Sequence, residues 1–255
     1  VRFMIDAHAH IEFFKKNQEE IIEEAKRKLR GVVDSITEYR KTHVWKSWEL
    51  LKDYFDFIFP TLGYHPNEAR RGNWEKVRKV EDFILKHQKE IFGIGEIGLD
   101  YYHAKTKAER DAQREIFVHF LELAKELNLP VVIHAREAEK EALEIINRYD
   151  IPSYFHSYTG SVEVAREIVD GGHILGISTG IVFIPEVREV AKNIEIEYLV
   201  VETDAPYMSP YKGIRNKPIF VEVAIEELAK IKGMDKTEVE AVTEVNTIKF
   251  FSLPL

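Results

Sequence analysis

Short runs of β-branched and aromatic residues recur along the chain, separated by longer stretches in which apolar positions return every three or four residues. That alternation predicts strands followed by amphipathic helices, the pattern of βα units around a parallel sheet. Eight runs read as strands: residues 2–7, 32–37, 57–62, 92–97, 131–134, 154–156, 174–178 and 199–203. Between them, residues 18–29, 108–127, 136–149 and 162–170 carry helical periodicity, most of them ending near Gly, Asn or Pro. The tail adds two helices, over 219–231 and 236–251. Eight strands alternating with helices predict an α/β fold of the TIM (β/α)8 barrel type, in one domain spanning residues 1–255. A doubly wound open sheet is the alternative, but its first strand should lead into a Gly-rich phosphate loop. Here that strand leads into Asp6, His8 and His10.

Composition narrows the chemistry. The chain has 255 residues and no cysteine, so a metal would have to sit on histidines and carboxylates. No apolar run approaches the roughly 20 residues of a membrane-spanning helix, and the N-terminus lacks the layout of a signal peptide, so a cytoplasmic protein without membrane association is expected. A net charge of −8 argues against nonspecific coating of nucleic acid and leaves room only for a local basic pocket.

Alternate residues of a strand share a face, so Asp6, His8 and His10 project together from the end of the first strand. Taken alone, His-Ala-His is equally compatible with a chance pair on an edge strand. Glu96 interrupts the apolar run Gly93-Ile94-Gly95-Glu96-Ile97-Gly98, and a buried carboxylate calls for a metal or a cation beside it. Pairing to a structural Arg would satisfy it too. His134 and His156 each follow an apolar run, as core histidines can, and Asp204 follows the eighth strand, where it could also cap the next segment. The C-terminal strand ends of a TIM barrel converge on one mouth, and so many ligand-type residues in that register point to one or two divalent cations.

Over nearly its whole length the chain resembles a TatD-type deoxyribonuclease of the amidohydrolase superfamily. The resemblance rests on Asp6-Ala7-His8-Ala9-His10, Gly63-Tyr64-His65-Pro66, Gly95-Glu96-Ile97-Gly98-Leu99-Asp100-Tyr101-Tyr102, Val131-Val132-Ile133-His134-Ala135-Arg136, His156-Ser157-Tyr158-Thr159-Gly160-Ser161 and Glu202-Thr203-Asp204-Ala205-Pro206-Tyr207. It implies a (β/α)8 barrel whose metals are held by His8, His10, Glu96, His134, His156 and Asp204, with Glu96 bridging a pair, and hydrolysis of DNA phosphodiesters. Two segments depart from the family. Arg215-Asn216-Lys217-Pro218 stands where relatives carry Arg-Asn-Glu-Pro, and His156-Ser157-Tyr158-Thr159-Gly160-Ser161 where they carry His-Cys-Phe-Ser-Gly-Ser. Residues 11–48 add nothing to the functional reading.

Two divalent cations, Zn, Mn or Mg, could activate a water and neutralise the charge developing on a scissile phosphate. In that scheme Asp204 and Glu96 are the catalytic carboxylates, Asp204 being both ligand and proton acceptor, and Asp6 orients a ligand. His65, Arg136, Arg215, Asn216 and Tyr101 are the expected substrate contacts, with Lys217 adding positive charge at the mouth. For Arg136 a solvated helix turn is an equal reading, and packing is one for Tyr101 or Tyr102. The Gly160 and Ser161 amides could receive an anion or simply form a turn. His43, His87, His103, His119 and His173 lie off the strand-end register and read as structural. DNA is the expected partner, with no obligate protein partner. Carboxylic esters or amides, including D-aminoacyl-tRNA, are the competing substrates.

Overall fold

The computed structural model describes residues 4–255; Arg2 and Phe3 of the expected first strand lie outside the described residues. The chain runs β1 (Met4–Ala9), α1 (Gln18–Lys28), β2 (Leu29–Glu38), α2 (Val44–Leu51), β3 (Ile58–Tyr64), α3 (Pro66–Ala69) and α4 (Trp74–His87). It continues through β4 (Ile94–Asp100), α5 (Lys107–Leu127), β5 (Val131–Arg136), α6 (Glu139–Ile146), β6 (Ser153–Phe155) and α7 (Val162–Asp170). The last elements are β7 (Ile174–Ser178), α8 (Pro185–Asn193), β8 (Leu199–Glu202), α9 (Val221–Lys232) and α10 (Lys236–Phe251). The eight strands form one sheet in the order β1 to β8, with parallel pairings, which is the (β/α)8 class expected from the sequence.

Every expected strand is present, β7 with the expected bounds and the others with shifted ends. β1 and β5 run on to Ala9 and Arg136, whereas β6 stops at Phe155, one residue before His156. The helix expected over 136–149 is shorter because Arg136 still belongs to β5 and Glu137 takes a left-handed φ of 54°. Helices α2, α3, α4 and α8 add to those singled out from the sequence. Local chemistry sets several ends: Thr106 and Glu109 form a reciprocal capping box at the start of α5, and Asn128 closes it in the left-handed region. The Ser161 hydroxyl accepts from Val164 N and caps α7.

The chain divides into two compact units. One comprises the described residues up to 34, with 54–59 and 156–255. Within it β1 meets β8: Asp204 N donates to His8 O (2.9 Å) and His10 N to Ala205 O (2.8 Å), so the residue after β1 and the Asp beyond β8 are fixed against each other. The other comprises residues 35–53 and 60–155. There β4 and β5 pair in a register that sets Gly98 opposite His134. Gly98 has a φ of 148°, and a Cβ on it would collide with the His134 carbonyl. Glycine at this position is what lets the two strand ends approach.

Candidate metal centres

In the first unit, His8 Nε2 lies 3.2 Å from His10 Nε2 and 3.4 Å from Asp204 Oδ1, and His10 Nε2 lies 3.6 Å from Asp204 Oδ1. Ligand atoms about 2.1 Å from a tetrahedral centre sit about 3.4 Å from one another, so this buried triad has the edge lengths of a metal-ligand set. Burial alone would raise the Asp204 carboxyl, but hydrogen bonds from His10 and His8 outweigh it and hold Asp204 well below the usual carboxylate range. His156 stacks on His8, ring centroids 3.9 Å apart, and its Nδ1 is 3.6 Å from the buried Glu202. Asp6 accepts from Thr203 N (2.9 Å), Thr203 Oγ1 (2.5 Å) and His8 N (3.3 Å), tying β1 to the end of β8.

Glu12 and Asp34 were not among the residues singled out, yet both are buried behind His10. Glu12 Oε1 is 3.4 Å from His10 Nδ1, and Asp34 Oδ1 accepts from Ile11 N at 2.6 Å. Burial and then the neighbouring Glu12 raise the Asp34 carboxyl well above its ordinary value. Residues 11–48 therefore do contribute to the surroundings of the ligand cluster. The one available signal was spacing, since Glu12 continues the alternate-residue series of His8 and His10.

In the second unit, His134 Nδ1 is 3.5 Å from Glu96 Oε1 and His65 Nε2 is 4.0 Å from the same oxygen. The two histidines differ in what they can offer. His65 Nδ1 accepts from Asn67 N at 3.1 Å, so its neutral ring carries the proton on Nε2 and faces Glu96 as a donor. His65, Glu96 and His134 together offer ligand-type atoms close enough to one another to hold a cation, His65 Nε2 being the one that carries a proton.

The expected substrate residues occupy varied settings. Arg136 is exposed, its guanidinium 3.8 Å from the Tyr102 ring centre. Tyr101 is 7% exposed, its hydroxyl accepts from Arg114 (2.7 Å), and burial pushes it up to about 12, whereas Tyr102 is 45% exposed and better placed to stack. Arg215 is exposed, donates to Phe13 O (2.8 Å) and covers the Phe14 ring. Asn216 is fully buried, its amide donating to Thr179 Oγ1 (2.9 Å), Thr203 O (2.9 Å) and Tyr207 O (2.6 Å), which pins the segment after β8 from within. Lys217 Nζ is held by Glu24 at 2.7 and 2.8 Å, so its charge is compensated within the protein.

A (β/α)8 sheet with His and carboxylate clusters on or just beyond β1, β4, β5 and β8 is the arrangement of a metal-dependent hydrolase. Sequence comparison identifies which kind: residues 5–252 match the TatD related DNase family, and the chain belongs to it. It is 42% identical over 250 residues to a Methanocaldococcus jannaschii protein named as an uncharacterized metal-dependent hydrolase, covering 97% of this chain and 96% of that one. It is 27% identical to the human deoxyribonuclease TATDN3, covering 97% and 94%. The crystal structure of the TatD homologue YjjV from Escherichia coli superposes with a TM-score of 0.88 at 23% identity, covering 98% of each chain, a likeness of fold.

Proposed function

We propose that this protein hydrolyses phosphodiester bonds in DNA with the help of divalent cations held by two ligand clusters. His8, His10 and Asp204, with His156 beside them, form one, and Glu96 with His134 the other. The observation that carries the reading is the His8–His10–Asp204 triad, whose mutual distances of 3.2 to 3.6 Å suit a single cation. The mixture of imidazole and carboxylate suits Zn or Mn, and a carboxylate-rich position suits Mg. A cation so held supplies positive charge to a phosphoryl group and promotes ionisation of a water at neutral pH. Asp204, whose Oδ1 lies 3.4 and 3.6 Å from the two imidazoles, is the carboxylate placed to accept a proton there. Arg136 and Arg215 carry charges without a carboxylate partner among the described residues and are available to phosphate oxygens.

DNA as substrate follows the names of relatives such as human TATDN3. A cytoplasmic site of action belongs to the same proposal and agrees with a chain that has no cysteine to form disulfides; no helix among the described residues is long and apolar enough to cross a membrane.

The test is single-turnover cleavage of labelled single-stranded DNA and of an aminoacyl ester, by protein stripped of metal and resupplied with Zn, Mn or Mg. Faster cleavage of DNA is expected. Preferential ester cleavage, or activity indifferent to metal, would overturn the reading.

A further inference from the structure

His134 presents two ring nitrogens to two different carboxylates. Its Nε2 is 2.9 Å from Asp100 Oδ2, and its Nδ1 is 3.5 Å from Glu96 Oε1. A neutral imidazole has one N–H and one lone pair, so which nitrogen can meet a cation depends on where the proton is held.

The structure decides this through Asp100. Gly98 lies opposite His134 in the β4–β5 register, so Asp100, two residues on along β4, stands on the same face. Its side chain is buried, its Oδ1 accepts from His103 N (3.0 Å), and its Oδ2 pairs with His103 Nδ1 (3.0 Å) as well as with His134. Its backbone is clamped by Gln113, whose Oε1 accepts from Asp100 N (2.9 Å) and whose Nε2 donates to Asp100 O (3.3 Å) and Pro66 O (2.9 Å). These contacts hold the Asp100 side chain in one orientation, with Oδ1 accepting from a backbone amide and Oδ2 facing both imidazoles. A carboxylate only accepts, so His134 Nε2 donates to it.

We propose that Asp100, anchored by His103, is a positioning residue that keeps His134 in its Nε2–H tautomer and thereby turns the Nδ1 lone pair toward the cation shared with Glu96. A lone pair facing a carboxylate oxygen is unfavourable until a positive charge sits with them, so the same lock that fixes the ring prepares the pair for a metal. This gives a specific task to His103, which off the strand-end register read as a structural or surface residue. It rests on the reading of Glu96 and His134 as a cation pair.

The experiment is two-bond ¹H–¹⁵N correlation spectroscopy of the metal-free protein, at a pH well above the ordinary histidine value of about 6.5, followed by calorimetric titration with Zn²⁺. Wild type should show His134 protonated on Nε2. In Asp100→Leu, which keeps the bulk and removes the acceptor, the proton should move to Nδ1 and hydrogen-bond to Glu96, with Zn²⁺ affinity at one site falling about 10- to 100-fold. His103→Gln should weaken the Nε2–H preference without abolishing it. Wild-type His134 protonated on Nδ1 would overturn the proposal, as would an Asp100→Leu protein with the tautomer or the affinity unchanged. Glu96→Gln separates the two ideas: if it left Zn²⁺ binding intact, the cation pair would fail, whereas the tautomer lock is read without metal.

Discussion

Burial can favour the neutral form of a carboxyl, and the surroundings of Asp34 act in that direction. Burial, then the charge of Glu12, raise it well above the roughly 3.9 of a free aspartate. Stability should therefore fall as pH rises from the ordinary carboxyl range toward the raised value, because the unfolded chain ionises there and the folded one resists. Asp34→Asn mimics the protonated form and keeps an acceptor for Ile11 N. Thermal melts of the metal-free protein should show the variant above wild type near neutrality, with the difference closing below the ordinary range. Asp204 is the opposite case, held ionised by His10 and His8. Asp204→Asn should leave most of the metal bound and reduce single-turnover cleavage by about 10²- to 10⁴-fold, as expected when a proton acceptor is removed. His8, His10, Glu96, His134, His156 and Asp204 could be singled out in the sequence because each ionisable group interrupts or ends an apolar run. Glu12, Asp34 and Asp100 were not, because an acid amid mixed residues looks the same whether it faces water or the back of a histidine.

Among the elements, the strands were easier to find than their ends. β5 carries the apolar signature only to Ile133, and its continuation to Arg136 depends on pairing with Leu99 and Asp100, which no local pattern reports. Short α3 escaped notice because its residues are in contact with β4 and α5 across long sequence separations rather than in a periodic stripe of their own. The close pairing makes a prediction. Gly98→Ala adds a methyl group against the His134 carbonyl at a φ that disfavours side chains, and overpacking of this kind costs about 1–3 kcal/mol. The melting temperature should drop, and metal bound through His134 should be lost ahead of metal at the His8 cluster. The segment after β8 depends on Asn216 in the same way. Asn216→Ala leaves the Thr203 and Tyr207 carbonyls without its amide, a loss of about 1–3 kcal/mol for buried acceptors, read from denaturant unfolding. A residue whose only task was to touch substrate would leave that stability unchanged.

For the molecule as a whole, the acidity read from the sequence limits how DNA can be held. A net charge of −8 repels a polyanion at long range, so binding must come from a few local cations and the metal. The sequence suggested Lys217 as one of them, but Glu24 neutralises it, a pairing that joins residues 193 apart and is invisible until the chain folds. Arg136 and Arg215 remain. Each phosphate contact with single-stranded DNA contributes about −0.7 to the slope of log affinity against log salt, so two contacts give about −1.4. A Michaelis constant for a short single strand, measured across a salt series at fixed metal, should therefore rise with a slope of about +1.4. Arg136→Gln and Arg215→Gln should each remove about half of it. Lys217→Gln should leave the slope as it is and register only as a small change in stability, within about 1 kcal/mol for a partly exposed pair. A slope several times steeper would mean a broad basic surface that this acidic chain lacks, and one unchanged by both arginine variants would leave recognition of the phosphate to the metal clusters alone.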